Sequence, residues 1–231
     1  MNSFEKWLFP PTCVVTDAAG QNLDLSESVM AKMARPGVAC PVCGEPLPAL
    51  SAPQVCGACL AQAPSFEQTQ AGFRYEAVMA DLIQGLKYHE QLYQARLLAE
   101  LWTPHLDVGG VEALIPVPLH VNRLLERGFN QAYELAKSLS KGTGLPVLSQ
   151  SVMRAKQTPP QALLNAKDRR RNLKSAFALT SETDLLGLSE VALVDDVMTT
   201  GATMEALASI LKKRFPELRI QVWVLARASG Q

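Results

Sequence analysis

The 231-residue sequence has no excess charge of either sign, because 22 Lys and Arg offset 22 Asp and Glu. That balance excludes a uniformly polyanion-binding surface, so any affinity for nucleic acid has to come from a local cluster. The sequence also lacks a basic start followed by an apolar run of about 7–15 residues, and it has no uninterrupted apolar stretch of about 18 residues. These absences predict a cytoplasmic chain without membrane insertion. Cysteine is scarce too: there are five, four of them in two CxxC pairs, a pattern that suits metal binding in a reducing compartment better than a disulfide framework.

What is present falls into two textures. Residues 1–65 hold every cysteine, are rich in proline and show little periodicity, so they need a staple to be stable. From residue 70 onward a second domain is expected. FRYEAVMADLIQGLKY (73–88) and EQLYQARLLAELW (90–102) place apolar residues at helical spacing, and Pro104 stops the second run. ALIPVP (113–118) reads as a short strand, FNQAYELAKSLSKGTG (129–144) as an amphipathic helix closed by glycine, and VALV, ATMEALASILKKRF and IQVWVLA as strand, helix, strand. This alternation predicts an α/β fold with a parallel sheet and crossover helices.

VALVDDVMTTGAT (191–203) drives a buried strand into two adjacent acids and then a bend of small hydroxyl residues. In open α/β sheets ligands sit beyond the carboxyl ends of the strands, where loop amides and helix amino ends converge. The helix expected to start near Ala202 points its positive end at that rim, and Gly201 permits close backbone approach. Thr199, Thr200 and Thr203 supply hydroxyls for a phosphate, while Asp195 and Asp196 suit vicinal sugar hydroxyls. No Walker lysine is present, which favours a ribose 5-phosphate over a nucleoside triphosphate.

This stretch resembles the signature of the type I phosphoribosyltransferases, in which two acids hold the ribose of phosphoribosyl pyrophosphate (PRPP) and the loop holds its 5-phosphate. The resemblance thus implies PRPP binding by Asp195, Asp196, Thr199, Thr200, Gly201, Ala202 and Thr203. LIQGLKY (82–88), LIPVPLHVNRLLERGFNQAYELA (114–136), RAKQTPPQALLNAKDRRRNLKSAFAL (154–179) and the CPVC and CGAC pairs narrow the match. Together they resemble the ComF family across essentially the whole chain. That family implies a type I phosphoribosyltransferase-like parallel sheet flanked by helices, with a small N-terminal four-cysteine zinc module. It also implies a role in handling imported single-stranded DNA during natural transformation.

In CPVC-x12-CGAC, Cys40, Cys43, Cys56 and Cys59 have the spacing of two knuckles around one tetrahedral structural zinc. Moving this unit back by 27 residues aligns Cys13 with Cys40 and Thr16 with Cys43. Family members often carry a second knuckle pair, so Cys13 is either its remnant or a small buried thiol, and one zinc is expected. By resemblance the loop around Arg127 and Gly128 receives the pyrophosphate with Mg²⁺, often through a cis peptide; Arg123 shares a face with Arg127 if the stretch is helical. His120 nearby reads as a local hydrogen-bonding group more than a catalyst.

The segment 154–174 carries Arg154, Lys156, Lys167, Arg169, Arg170, Arg171 and Lys174. The resemblance to phosphoribosyltransferases implies a mobile hood over the pyrophosphate here, the same charges suit a groove for single-stranded DNA or a solvated loop, and charge alone does not separate these. Lys87 is a further hood or DNA candidate, whereas Tyr88 and Tyr93 are expected to pack helices. Two functions follow. One is a PRPP-binding accessory factor for single-stranded DNA, with DNA-uptake or recombination proteins as partners. The other is an active phosphoribosyltransferase with an unidentified acceptor. Many purine enzymes of this fold place a carboxylate base three residues after the second acid, where this chain has Thr199, so purine transfer of that type is not expected.

Overall fold

The computed structural model describes residues 10–20, 23–47, 51–88, 92–155, 176–181 and 185–228. The described chain runs α1 (Glu27–Met30), α2 (Gly57–Ala61), β1 (Gln68–Arg74), α3 (Ala77–Tyr88), α4 (Tyr93–Trp102), β2 (Ala113–Pro116), α5 (Val121–Arg127) and α6 (Gln131–Thr143). It continues through β3 (Val152–Arg154), β4 (Phe177–Leu179), β5 (Glu190–Met198), α7 (Ala202–Arg214) and β6 (Arg219–Arg227). Four strands form a wholly parallel sheet in the order β1, β6, β5, β2, and β3 pairs antiparallel with β4.

The two long strands are central because their sequences are apolar on both faces, as a sheet covered on both sides requires. Side chains alternate between the faces. Ala192, Val194, Trp223 and Leu225 join Phe73, Leu98, Trp102 and Leu135 in one core, beneath α3, α4 and α6. Val191, Leu193, Val222 and Val224 join Met204, Leu207 and Leu211 of α7 in the other. Buried Trp223 needs a partner for its indole N–H and finds it in Gln221 Oε1 at 2.9 Å.

The α6 helix starts where Asn130 Oδ1 accepts from Ala132 N at 3.0 Å and ends at Gly144, whose φ of 78° closes the last turn. Elsewhere the structure departs from the periodicity. Phe73 and Arg74 belong to β1 and the helix begins at Ala77. QTQAGFR gives β1 no apolar run; its place is fixed by backbone pairing along β6 from Gln68 to Arg74. Strand β5 runs to Met198, so Asp195 and Asp196 lie inside it instead of just past its end. Thr203 is correspondingly in the first turn of α7.

The 27-residue offset reappears as geometry. Cys40 N donates to Glu45 O at 2.9 Å and Gly44 N to Cys40 O at 2.8 Å, closing a tight turn with Gly44 at φ 68°. In the earlier copy Cys13 N donates to Ala18 O at 2.7 Å and Asp17 N to Cys13 O at 2.8 Å, with Asp17 at φ 55°. The fold thus builds the same knuckle twice. Cys13 is fully buried in the core that contains Leu25, Val29 and Met33, apart from the other four thiols. Burial pushes its thiol up, but hydrogen bonds from Thr16, Ser26 and Val15 outweigh that and bring it down to about 6.

Candidate functional site

Strand β5 carries the acidic doublet into a cavity of about 310 Å³ at the carboxyl edge of the sheet. Because neighbouring residues on a strand point to opposite faces, the two carboxylates take different partners. Asp196 is 3% exposed, and its Oδ2 lies 2.6 Å from Lys87 Nζ on α3. The contact is a close ion pair, and a carboxylate oxygen so placed keeps acceptor capacity beyond it. Half-buried Asp195 accepts from Asp196 N through Oδ1 at 2.9 Å.

The electrostatics follow from packing two acids against one lysine. Burial raises the Asp195 carboxyl well above the ordinary range, the neighbouring Asp196 raises it further, and Lys87 offsets this in part. For Lys87, burial favours the neutral amine, but attraction to Asp196 and Asp195 outweighs it and raises its pKa. Lys87 is therefore a cation at neutral pH, locked beside the doublet.

Past β5 the chain turns through Thr199 and Thr200, both exposed, to Gly201 at φ 75°, from which α7 starts. A β-carbon at Gly201 would meet only the flexible end of Met198, so the bend requires glycine for its left-handed conformation. Thr199, Thr200, Gly201, Ala202 and Thr203 all line the cavity together with both acids. The α7 amino end thus faces the doublet across the hollow, with the partial positive charge that favours an anion there.

The structure also brings in residues that the sequence reading placed elsewhere or passed over. Lys87 and Arg154, read as hood or DNA candidates, line this cavity, as do Arg123, Tyr75 and Gln131. Burial lowers the Arg154 pKa, Arg123 repels it, and Asp195 attracts it. Arg123 and Arg127 share helix α5, as their spacing suggested. Arg127 stands one place back, with Nη1 donating to Gln131 Oε1 at 2.8 Å, and Gly128 ends the helix at φ 78°. No cis peptide occurs among the described residues. His120 caps α5, its Nδ1 accepting from Asn122 N at 3.2 Å, in keeping with a local role. Tyr93 opens α4 and is half exposed, so it contributes less to helix packing than expected. Lys156, Lys167, Arg169, Arg170, Arg171 and Lys174 lie outside the described residues. Gln131 and Tyr75 had no sequence signal beyond their nearness to recognisable motifs.

A wider hollow of about 470 Å³, lined by Val42, Val55, Cys59, Phe66 and Lys212 among others, lies away from these groups. It lacks the doublet, the threonine bend and the cationic walls that make the smaller cavity the better candidate.

Cys40, Cys43, Cys56 and Cys59 place their sulfurs within 4.8 Å of one another and could hold a metal ion. Tetrahedral thiolates bonded at about 2.3 Å stand about 3.8 Å apart. Cys43 and Cys56 are already at 3.6 Å. Burial pushes the Cys43 thiol up to about 11 and raises Cys59 as well; at Cys40 backbone hydrogen bonds overcome burial and bring it down to about 7. A cation supplies the charge that deprotonating so crowded a set requires.

The Phosphoribosyl transferase domain family matches residues 119–231, the part that carries the cavity loops. Competence protein F of Haemophilus influenzae is 42% identical over 76% of this chain and 79% of its own length. DNA utilization protein YhgH of Salmonella typhimurium is 35% identical over 87% of this chain and 89% of its own. Competence protein ComFC of Bacillus subtilis is 25% identical over 83% of this chain and 79% of its own. A parallel sheet ending in an acidic doublet and threonine bend, a four-cysteine knuckle, and this identity over most of the length place the chain in the ComF family of phosphoribosyltransferase-like proteins.

Proposed function

We propose that this protein binds PRPP at the β5 rim and acts in the cytoplasm on imported single-stranded DNA, alongside DNA-uptake or recombination proteins. One observation carries the PRPP reading: two adjacent acids, a threonine-glycine bend and a helix amino end converge on one cavity of suitable size. Asp195 and Asp196 accept from the ribose hydroxyls, and the amides and hydroxyls from Thr199 to Thr203 receive the 5-phosphate. Arg123 and Arg154 face the remaining anionic part, and Arg127 braces Gln131 beside it. Mg²⁺, bound with the pyrophosphate, supplies further neutralising charge. The names of the relatives, a competence protein and DNA utilization proteins, support the DNA role.

Turnover is the second reading, favoured by the two guanidinium groups in the cavity wall, which suit a departing pyrophosphate. Pyrophosphate release in the presence of candidate acceptors distinguishes it from binding alone. The metal at Cys40, Cys43, Cys56 and Cys59 is zinc in this proposal, as one closed structural site. It stabilises a proline-rich segment that has little helix or strand of its own.

Titration calorimetry with PRPP and Mg²⁺ is expected to show one site, and Asp196→Asn to weaken it by at least about tenfold, equivalent to about 1.4 kcal/mol; unchanged affinity in that variant contradicts the assignment.

Asp195→Asn separates stability from binding. Burial raises the folded-state pKa of Asp195, so the wild type loses stability as pH rises from about 4, the unfolded value, towards the folded one. The Asn variant is expected to melt higher than wild type at pH 7, with the gain shrinking towards pH 4, while losing PRPP affinity. A lower melting point at pH 7 contradicts the electrostatic account.

Elemental analysis should find about one zinc per chain, and Cys40→Ser should release it and destabilise residues 36–64 in hydrogen exchange; two equivalents would show that the Cys13 knuckle also binds.

Charge reversal of Arg169, Arg170 and Arg171 should weaken single-stranded DNA binding and flatten its salt dependence, by about 0.7 in logarithmic slope for each phosphate no longer neutralised. A slope equal to that of the wild type removes this segment from the DNA surface.

A further inference from the structure

Arg227 ends the central strand β6, opposite Met198 in register, and its side chain is 5% exposed. The sequence gives it no motif, yet it touches both halves of the molecule. On one side Nε donates to Cys43 O at 3.1 Å and Nη2 pairs with Glu45 Oε2 at 2.6 Å. On the other, Nη1 donates to Met198 O at 3.2 Å and also to Thr199 O and Ala228 O. One rigid guanidinium plane therefore spans the four-cysteine knuckle and the two carbonyls that open the threonine bend. Its fork geometry allows the simultaneous contacts, which an ammonium could not reproduce.

The carbonyl contacts have a consequence for the cavity. A trans peptide is planar and directs its N–H opposite to its C=O. Met198 O also accepts from Ala228 N at 2.9 Å along the strand pairing, so the carbonyl that depends on Arg227 is that of Thr199; holding it towards the guanidinium turns the amide of Thr200 the other way, in the stretch that lines the cavity. The knuckle side is equally constrained. Cys43 is one of the four clustered thiols, Gly44 sits at φ 68° with a β-carbon position 3.0 Å from Thr69 Cγ2, and Thr69 Oγ1 donates to Val42 O at 2.6 Å. With the thiols gathered on a metal, the Cys43 carbonyl and Glu45 are fixed points from which Arg227 sets the bend.

We propose that Arg227 is a positioning residue that couples metal occupancy of the Cys40, Cys43, Cys56 and Cys59 cluster to affinity for a pentose 5-phosphate at the threonine bend. The inference rests on the PRPP reading of that bend. Coupling between sites is reciprocal, so the sugar phosphate tightens the metal as much as the metal tightens the sugar phosphate.

The test uses the full chain loaded with zinc and ribose 5-phosphate as probe, since it lacks the pyrophosphate that would itself chelate zinc. Calorimetry first measures binding of the probe. Competition with a chelator then measures zinc affinity with and without a saturating concentration of it. In the native chain the probe is expected to raise zinc affinity at least about fivefold, a typical coupling between sites. Arg227→Lys, which keeps the charge but cannot span both sides, is expected to bring this ratio close to one. Glu45→Gln, at a partly exposed position, provides the same test if the lysine variant does not fold, and is expected to lower the ratio. A purely structural arginine would lower both affinities and leave the ratio intact. Probe binding with a native ratio of one overturns the coupling alone, as does an undiminished ratio in Glu45→Gln; no probe binding overturns the pentose 5-phosphate assignment of the bend and the coupling with it, while the PRPP reading as a whole stands or falls on its own titration with Mg²⁺.

Discussion

Two carboxylates on adjacent residues of a buried strand are an electrostatic liability, and the rim of this protein is arranged around containing it. Asp195 and Asp196 share one close cation, Lys87, brought from α3 on the face that Asp196 points to. Removing one partner of such a buried pair typically costs about 3–5 kcal/mol, because it leaves an uncompensated charge away from water. The strand tolerates the doublet because its alternation sends the acids to opposite faces, towards Lys87 on one side and Arg154 on the other. The charge remaining on Asp195 favours any ligand that brings hydroxyl donors or a cation to it.

The bend after the doublet is a second constraint of the same kind. Gly201 holds a left-handed conformation that disfavours a side chain, and the helix that follows gives its amino end to the cavity. On the far side of the bend, Arg227 carries a buried positive charge whose partners are carbonyl oxygens and the Glu45 carboxylate. The knuckle that supplies Glu45 is held in turn by Thr69 of β1 and by its own turn hydrogen bonds. Rim, central strand and cysteine cluster thus form one connected set of polar contacts across the sheet edge.

The core explains why this set stays in place. Each face of the sheet is covered by its own apolar layer, with α3, α4 and α6 on one side and α7 on the other. The segment containing Cys13, Leu25, Val29 and Met33 contributes to the first layer, so the early knuckle turn is packed into the core. Thr16 stands where a second cysteine would complete that turn, and its side chain hydrogen-bonds Cys13.

Sequence alone determined what depends on local pattern: the two apolar strands, the capped helices, the acid doublet with its threonine bend, the two CxxC pairs and the 27-residue echo between knuckles. Each is written in neighbouring residues, because side-chain alternation, capping and turn conformation act over a few positions. Tertiary structure decided what depends on partners distant in the chain. Lys87 pairs with Asp196 across 109 positions, and Arg227 meets Glu45 across 182. Strand β1 owes its place to β6, and Arg154 to the antiparallel β3–β4 pair. No local pattern encodes such contacts, since a buried charge finds its counter-charge only once the sheet has brought the two within a few ångströms of each other.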